Sequence, residues 1–257
     1  RLRMMVLHRP QFMACTPTYA LHLALVGKGM DLAVGDLGVE ALVVCGEPGG
    51  SIPEVRERIQ AEWGARVVDH HGMTEIGPVT VSDPGNPDLL RIYHPSYHAE
   101  VVSPESLEQV TLGEVGELVL TTLGRYGAPL IRYRTGDLVR PVATEETDPA
   151  PFALQGGIIG RADDMVVVRG VNVYPSAIEA VVRAVDGVGE YQVEVDEQGT
   201  LPEIRLVIEN LGDGRAEEAL EARLRSVFSM RIPVRAVELG TLPVSEMKAQ
   251  RWKVIRE

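Results

Sequence analysis

Two hydrophobic periods alternate along this chain. Pro17 to Lys28, PTYALHLALVGK, carries leucine and alanine on a helical repeat behind Thr16, a cap residue. Val39 to Cys45, VEALVVC, is instead a continuous apolar run of strand length, the pattern of a strand covered on both faces of a parallel sheet. GEPGG follows, and then a helix start at Ser51-Ile52-Pro53-Glu54, with Ser51 and Glu54 as a capping box and Pro53 in the first turn. Arg66 to His70, RVVDH, predicts a second strand, so residues 39–70 form a strand-helix-strand unit with a parallel pair. After Glu75 the pattern shortens to alternating segments broken by Pro, Gly and Asp: HAEVV, GELVLTT and PLIRYR, an antiparallel region. Residues 141–157, rich in Pro, Thr, Glu and Gly, are a linker candidate. Beyond them the pattern predicts strand 165–169, a helix from Pro175, strands 191–195 and 203–209, helix 215–228 and strand 234–239. That order is a small split α+β domain with helices on one face of a sheet. The fold class is therefore α/β. A parallel-sheet unit with a β-rich subdomain occupies residues 1–160, and a small α+β domain occupies 161–257.

Composition narrows the function classes. With 257 residues, 45% hydrophobic and 24% charged, the chain is neither disordered nor collagenous nor a disulfide scaffold. Acidic residues outnumber basic ones by 37 to 25, for a net charge of -12, and no basic run offers a nucleic-acid surface. Lys28, Lys248 and Lys253 are the lysines, so a lysine at a chosen position is a compositional rarity. Cys15 and Cys45 in apolar settings suggest a reducing compartment. No apolar stretch is long enough for a membrane helix, and the expectation is a cytoplasmic protein without a membrane partner. The chain opens on Arg1-Leu2-Arg3 without an initiator Met, which suggests a fragment of something longer.

Several segments carry candidate chemistry, each with a plainer reading beside it. The strand VEALVVC with Gly46, Gly49 and Gly50, and Asp69 beyond, mimics a dinucleotide fingerprint. The spacing is wrong, and Glu47 puts a negative charge where a pyrophosphate needs donors, so a tight strand-to-helix turn explains it better. His70, His71, His94 and His98 lie near Asp69 and Glu75 as metal ligands would, but Pro95 interrupts the helical spacing of a zinc pair. DHHGMTEIG, 69–77, follows a buried strand, so its polar groups emerge at the carboxyl edge of a sheet, where α/β proteins hold ligands. There Thr74 offers a hydroxyl and Glu75 a carboxylate suited to Mg²⁺. RYRTGDL, 132–138, places two arginines beside a turn of Thr135, Gly136 and Asp137. GRADDMVVVRGVNVYP, 160–175, reads as a loop, a strand and a helix start. LPVSEMKAQRW, 242–252, reads as a frayed C-terminus.

In this order and spacing HGMTE, YRTGD, GRADD with RGVNVYPSAIE, and SEMKAQR resemble the acyl-adenylate-forming (AMP-binding) enzymes, most closely the phenylacetate-CoA ligase group. CTPTYALHLA and GELVLTTLGRYGAPLIRYRTGDL are similar to that group too. The resemblance covers the C-terminal part of such an enzyme, without its upstream phosphate loop. It implies the later part of a large domain followed by a small mobile domain, and an ATP-dependent ligation of a carboxylic acid to coenzyme A through an acyl-adenylate. By similarity, His71 occupies the position, often aromatic, that packs on adenine. Thr74 contacts the α-phosphate, Glu75 holds Mg²⁺, Asp137 accepts from both ribose hydroxyls, and Arg161 adds a nucleotide contact. Gly46 and Glu47 also belong to the nucleotide site, and Tyr19, Gly46 and His70 to an acyl pocket for an aryl or compact branched acid. Asp163 falls on the hinge, Gly170 where pantetheine passes close to backbone, and Lys248 matches the mobile lysine that bridges carboxylate and α-phosphate during adenylation. His71 stands where Tyr is common and Met247 where Gly is usual. The cysteine cluster of some relatives is missing, which predicts no structural zinc. Two alternatives stand beside the ligase: transfer of the acyl group to a carrier protein or amine, and a non-catalytic nucleotide-binding fragment. A homodimer is compatible with all three.

Overall fold

The computed structural model describes residues 1–144, 150–198, 202–212, 215–243 and 251–255, in two compact units, Arg1–Asp163 and Asp164–Glu257. The first unit begins with helix α1 (Leu2–His8), strand β1 (Phe12–Cys15) and helix α2 (Pro17–Lys28), whose cap Thr16 accepts from the Tyr19 N–H. Strand β2 (Ala41–Val44), helix α3 (Pro53–Trp63) and strand β3 (Arg66–Asp69) follow, giving a parallel sheet in the order β1-β2-β3. Leu42 and Val44 are fully buried in its centre, and Ile59 and Trp63 cover it from α3. The expected strand-helix-strand crossover is thus present, with β1 added on its far side.

A hairpin of β4 (Gly72–Met73) and β5 (Gly77–Pro78) leads into two antiparallel sheets. One orders β6 (Thr80–Ser82), β7 (Leu89–Ile92), β12 (Ala153–Gln155) and β11 (Pro141–Val142) side by side. The other orders β8 (Tyr97–Val102), β9 (Gly116–Thr122), β10 (Tyr133–Val139) and β13 (Gly160–Arg161). Leu90, Leu118, Leu120, Val139 and Leu154 join their faces in one apolar core. The linker expected at 141–157 is therefore corrected: Pro141, Ala153 and Leu154 are buried sheet residues, with Leu154 paired to Leu90.

The second unit opens with the hairpin β14 (Val166–Val168) and β15 (Val171–Val173), turned by Arg169 and Gly170, both at positive φ. Two such residues in a row make the tight turn that suits the strand twist. Helix α4 (Pro175–Arg183), β16 (Val188–Asp196), β17 (Glu203–Asn210), helix α5 (Arg215–Phe228), β18 (Val234–Val237) and β19 (Trp252–Ile255) complete it. The sheet order is β18-β17-β16-β19, with Val182, Val188, Ile208, Leu220 and Leu224 at its centre. The C-terminus is not a frayed end at Trp252: that residue begins β19, which pairs in parallel with β16.

Candidate nucleotide site

The first unit assembles the site on the carboxyl side of β3 and along β10. Asp69 ends β3 buried. Its carboxylate accepts from the Ser51 hydroxyl at 2.7 Å and from the His70 N–H at 2.9 Å, while its own N–H donates to Ser82 Oγ. Ser51 is thus spent on Asp69 rather than on the helix, and Ile52 stands at the N-cap of α3 with no side-chain cap. Burial drives the Asp69 carboxyl upward, against the hydrogen bonds from Ser51 and His70. His70 lies half-buried beside it, with Nδ1 donating to the Thr80 carbonyl at 2.6 Å. Glu47, in the loop after β2, accepts from the Thr18 N–H at 2.7 Å, at the positive end of α2, and Gly46 is exposed next to it. Tyr19, on the first turn of α2, is half-buried, with Arg1 5.0 Å from its ring centroid.

His71 is the next residue of the loop. Its N–H donates to Thr80 Oγ1 at 3.1 Å, and its Nε2 lies 2.9 Å from Asp137 Oδ2. The Thr135-Gly136-Asp137 segment was expected as a turn; it lies inside β10, as an irregularity of the ladder to β9 between Arg134 and Leu138. Gly136 sits there at φ +76°, a backbone conformation that favours glycine, and a Cβ on it would stand 2.7 Å from the Arg161 guanidinium and push it aside. Buried Glu117 of β9 fixes this bulge, accepting from the Gly136 N–H at 3.1 Å and from Arg134 Nε at 2.8 Å. The Asp137 N–H donates to Thr135 Oγ1, and the Thr135 hydroxyl to the Leu118 carbonyl. Asp137 faces Arg161 across the β10–β13 ladder, with Oδ1 3.4 Å from Arg161 Nη1. Arg161 Nε also donates to Asp163 at 2.9 Å, which holds that carboxyl below its ordinary value.

Thr74 and Glu75 stand exposed in the turn of the β4–β5 hairpin. Tyr133, at the start of β10, donates its hydroxyl to Glu75 Oε1 at 2.8 Å, and Arg125 donates to the Glu75 carbonyl. The residue's own N–H, Tyr133 and the field of Arg161 keep the Glu75 carboxyl below the usual range. So Glu75, His71, Asp137, Arg161 and Asp163 come together in one place, and Tyr133, Arg125 and Glu117 support them. The supporting three passed unremarked in the sequence; Tyr133 and Glu117 precede and oppose the RTGD segment, the signal that was there to read. Gly170 belongs to the second unit, at φ +82°, where the turn favours glycine, and nothing among the described residues stands within 4 Å of a Cβ there. Lys248 and Met247 lie outside the described residues. Among the described residues no group of three His, Cys, Asp or Glu is arranged to hold a metal, and no helix is long and apolar enough to cross a membrane.

A parallel three-stranded sheet, an acidic bulge held by a histidine and an arginine, and an exposed carboxylate beside them make a candidate ligand site of the kind α/β proteins carry at the carboxyl edge of a sheet. The sequence matches the AMP-binding enzyme family over residues 1–124 and the AMP-binding enzyme C-terminal domain over residues 170–255. The chain belongs to the acyl-adenylate-forming, AMP-binding enzymes. It is 35% identical over 204 residues to a phenylacetate-coenzyme A ligase of Thermus thermophilus, covering 78% of this chain and 45% of that protein. It is 31% identical over 264 residues to one of Escherichia coli, covering 95% and 57%. A solved 2-hydroxyisobutyryl-CoA ligase in the postadenylation state, in complex with 2-HIB-AMP, superposes with a TM-score of 0.91 at 29% identity, over 99% of this chain and 56% of that one. The chain thus spans about half the length of the curated relatives it matches.

Proposed function

We propose that this chain serves an ATP-dependent ligation of a small carboxylic acid, aryl or compact and branched, to coenzyme A. The acid and ATP give an acyl-adenylate and pyrophosphate, and the acyl group then passes to the coenzyme A thiol. The observation that carries this reading is the carboxylate of Asp137, presented from a rigid bulge between His71 and Arg161. Asp137 accepts from the ribose hydroxyls, Arg161 adds a nucleotide contact, and Thr74 meets the α-phosphate. Gly46 and Glu47 border the nucleotide, and Tyr19, Gly46 and His70 border the acyl group. Mg²⁺ is held by one or two carboxylates together with substrate phosphates, and an exposed Glu75 already biased toward its ionised form fits that demand. Such an ion would neutralise phosphate charge beside Glu75. Asp163 is the pivot for a mobile small unit, Gly170 borders pantetheine, and Lys248 bridges the carboxylate and α-phosphate. The names of the relatives, which are acid-CoA ligases, and the 2-HIB-AMP bound to the 2-hydroxyisobutyryl-CoA ligase support the reaction class.

The test is carboxylate-dependent pyrophosphate exchange across a panel of aryl and branched acids, followed by thioester formation on adding coenzyme A. Exchange with an acid of the panel, lost in Lys248→Ala, is expected. Exchange undiminished by that substitution removes Lys248 from the reaction, and adenylation without thioester removes coenzyme A as acceptor.

A further inference from the structure

We infer that His71 is a positioning residue for the nucleotide's ribose: it holds the Asp137 carboxylate in the orientation that accepts two hydroxyls, and is not chiefly a stacking surface for adenine. The inference rests on the reading of Asp137 as the ribose acceptor. A carboxylate oxygen can only accept, so the 2.9 Å contact makes His71 Nε2 the donor to Oδ2. The other ring nitrogen, Nδ1, is buried and has no hydrogen-bond partner among the described residues, where the ring's one polar contact is to Asp137. Both side chains are nearly buried, 12% and 10% exposed. The His71 N–H to Thr80 Oγ1 fixes the backbone from which the imidazole reaches.

The geometry on the far side completes the argument. Arg161 approaches the other oxygen, Oδ1, at 3.4 Å, so the carboxylate is held at both ends. Its two oxygens offer about four lone-pair sites. His71 and Arg161 engage one on each oxygen and leave one on each for the 2′ and 3′ hydroxyls. The terminal torsion of an aspartate is otherwise broad, and holding only one oxygen would leave the plane free to turn away from the diol. A phenyl ring at position 71 would keep an aromatic face and lose this hold.

Donor and aromatic face are separable by substitution. His71→Gln keeps an N–H at the reach of Nε2 and removes the ring; His71→Phe keeps the ring and removes the donor. Affinities of the intact protein for ATP and 2′,3′-dideoxy-ATP are measured by calorimetric titration, with thermal melting to establish that each variant is folded. Wild type is expected to prefer ATP by about tenfold or more, as hydrogen bonds to a charged acceptor allow. The Gln variant should keep most of that preference, and the Phe variant should lose it while binding the dideoxy nucleotide within about twofold of wild type. The reverse pattern, with Phe unchanged and Gln weakened equally toward both nucleotides, overturns the inference in favour of stacking. Absence of any preference in wild type overturns instead the assignment of Asp137 to ribose.

Discussion

Asp69 in the first unit and Glu179 in the second are both buried carboxylates, yet their surroundings push them in opposite directions. Asp69 meets the Ser51 hydroxyl and the His70 N–H, neutral donors that do not offset burial, and its carboxyl rises from the ordinary 3.8. Glu179, on α4, meets burial as well, but Arg183 Nε at 2.7 Å, Arg251 Nη1 at 2.9 Å and the Tyr191 hydroxyl overcome it and bring the carboxyl to about 2. Arg251 reaches Glu190 too, at 2.6 Å, and lies over the Tyr191 ring. Burial depth therefore does not decide the fate of an acid; the count of cations within reach does. In the first unit the acid braces a glycine-rich loop next to the candidate nucleotide site, and in the second it ties β19 to the core.

The contrast breaks most visibly at Arg251. Arg251→Met leaves Glu179 with one cation and should cost about 3–5 kcal/mol, the usual result of removing one partner of a buried ion pair, read by urea unfolding of the intact chain. Next comes acid. Glu179 falls from 4.5 to about 2 on folding, so its contribution is whole above 4.5 and is lost as pH drops toward 2. Glu179→Gln, itself less stable, should flatten that slope, and an unchanged slope would assign it to other groups. Asp69 has the opposite sign: its folded value is raised, so its contribution is fullest at low pH and shrinks as pH climbs through the window above 3.8. Ser51→Ala should cost about 1–3 kcal/mol by leaving a buried acceptor short of one donor. The smallest effect is expected of Asp69→Asn, which removes the charge and keeps the shape: within about 1 kcal/mol of wild type by thermal melting, since a charge that burial already disfavours is no loss.

What could be read in the sequence was local and periodic. The unit 39–70 and helix α5 follow from apolar spacing, and Arg215–Phe228 has the bounds its pattern gives. Strands β11, β12 and β19 escaped because two to four residues carry no period, and their place is decided by β7 and β16, distant in sequence. Ser51 has the sequence of a cap, but a buried Asp69 competes for its hydroxyl and wins. Of the site, the RTGD segment and the HGMTE loop were visible as polar punctuation after strands. Their union through His71 and Asp137, 66 residues apart, was not, since no spacing rule reports which side chains a bulge turns toward each other.

The contact of Glu179 with Arg251 spans 72 residues and ends next to β19, the last strand of its unit. During synthesis α4 emerges first, then β16, β17, α5 and β18, and the buried apolar residues around them are made before Arg251 and Trp252. Until then Glu179 has Arg183 and the Tyr191 hydroxyl but not Arg251, so the nascent unit is held short of its native stability by a missing cation. Translation through Ile255 supplies the strand and the charge together, so this unit reaches its native stability only once Arg251 and β19 have both been made.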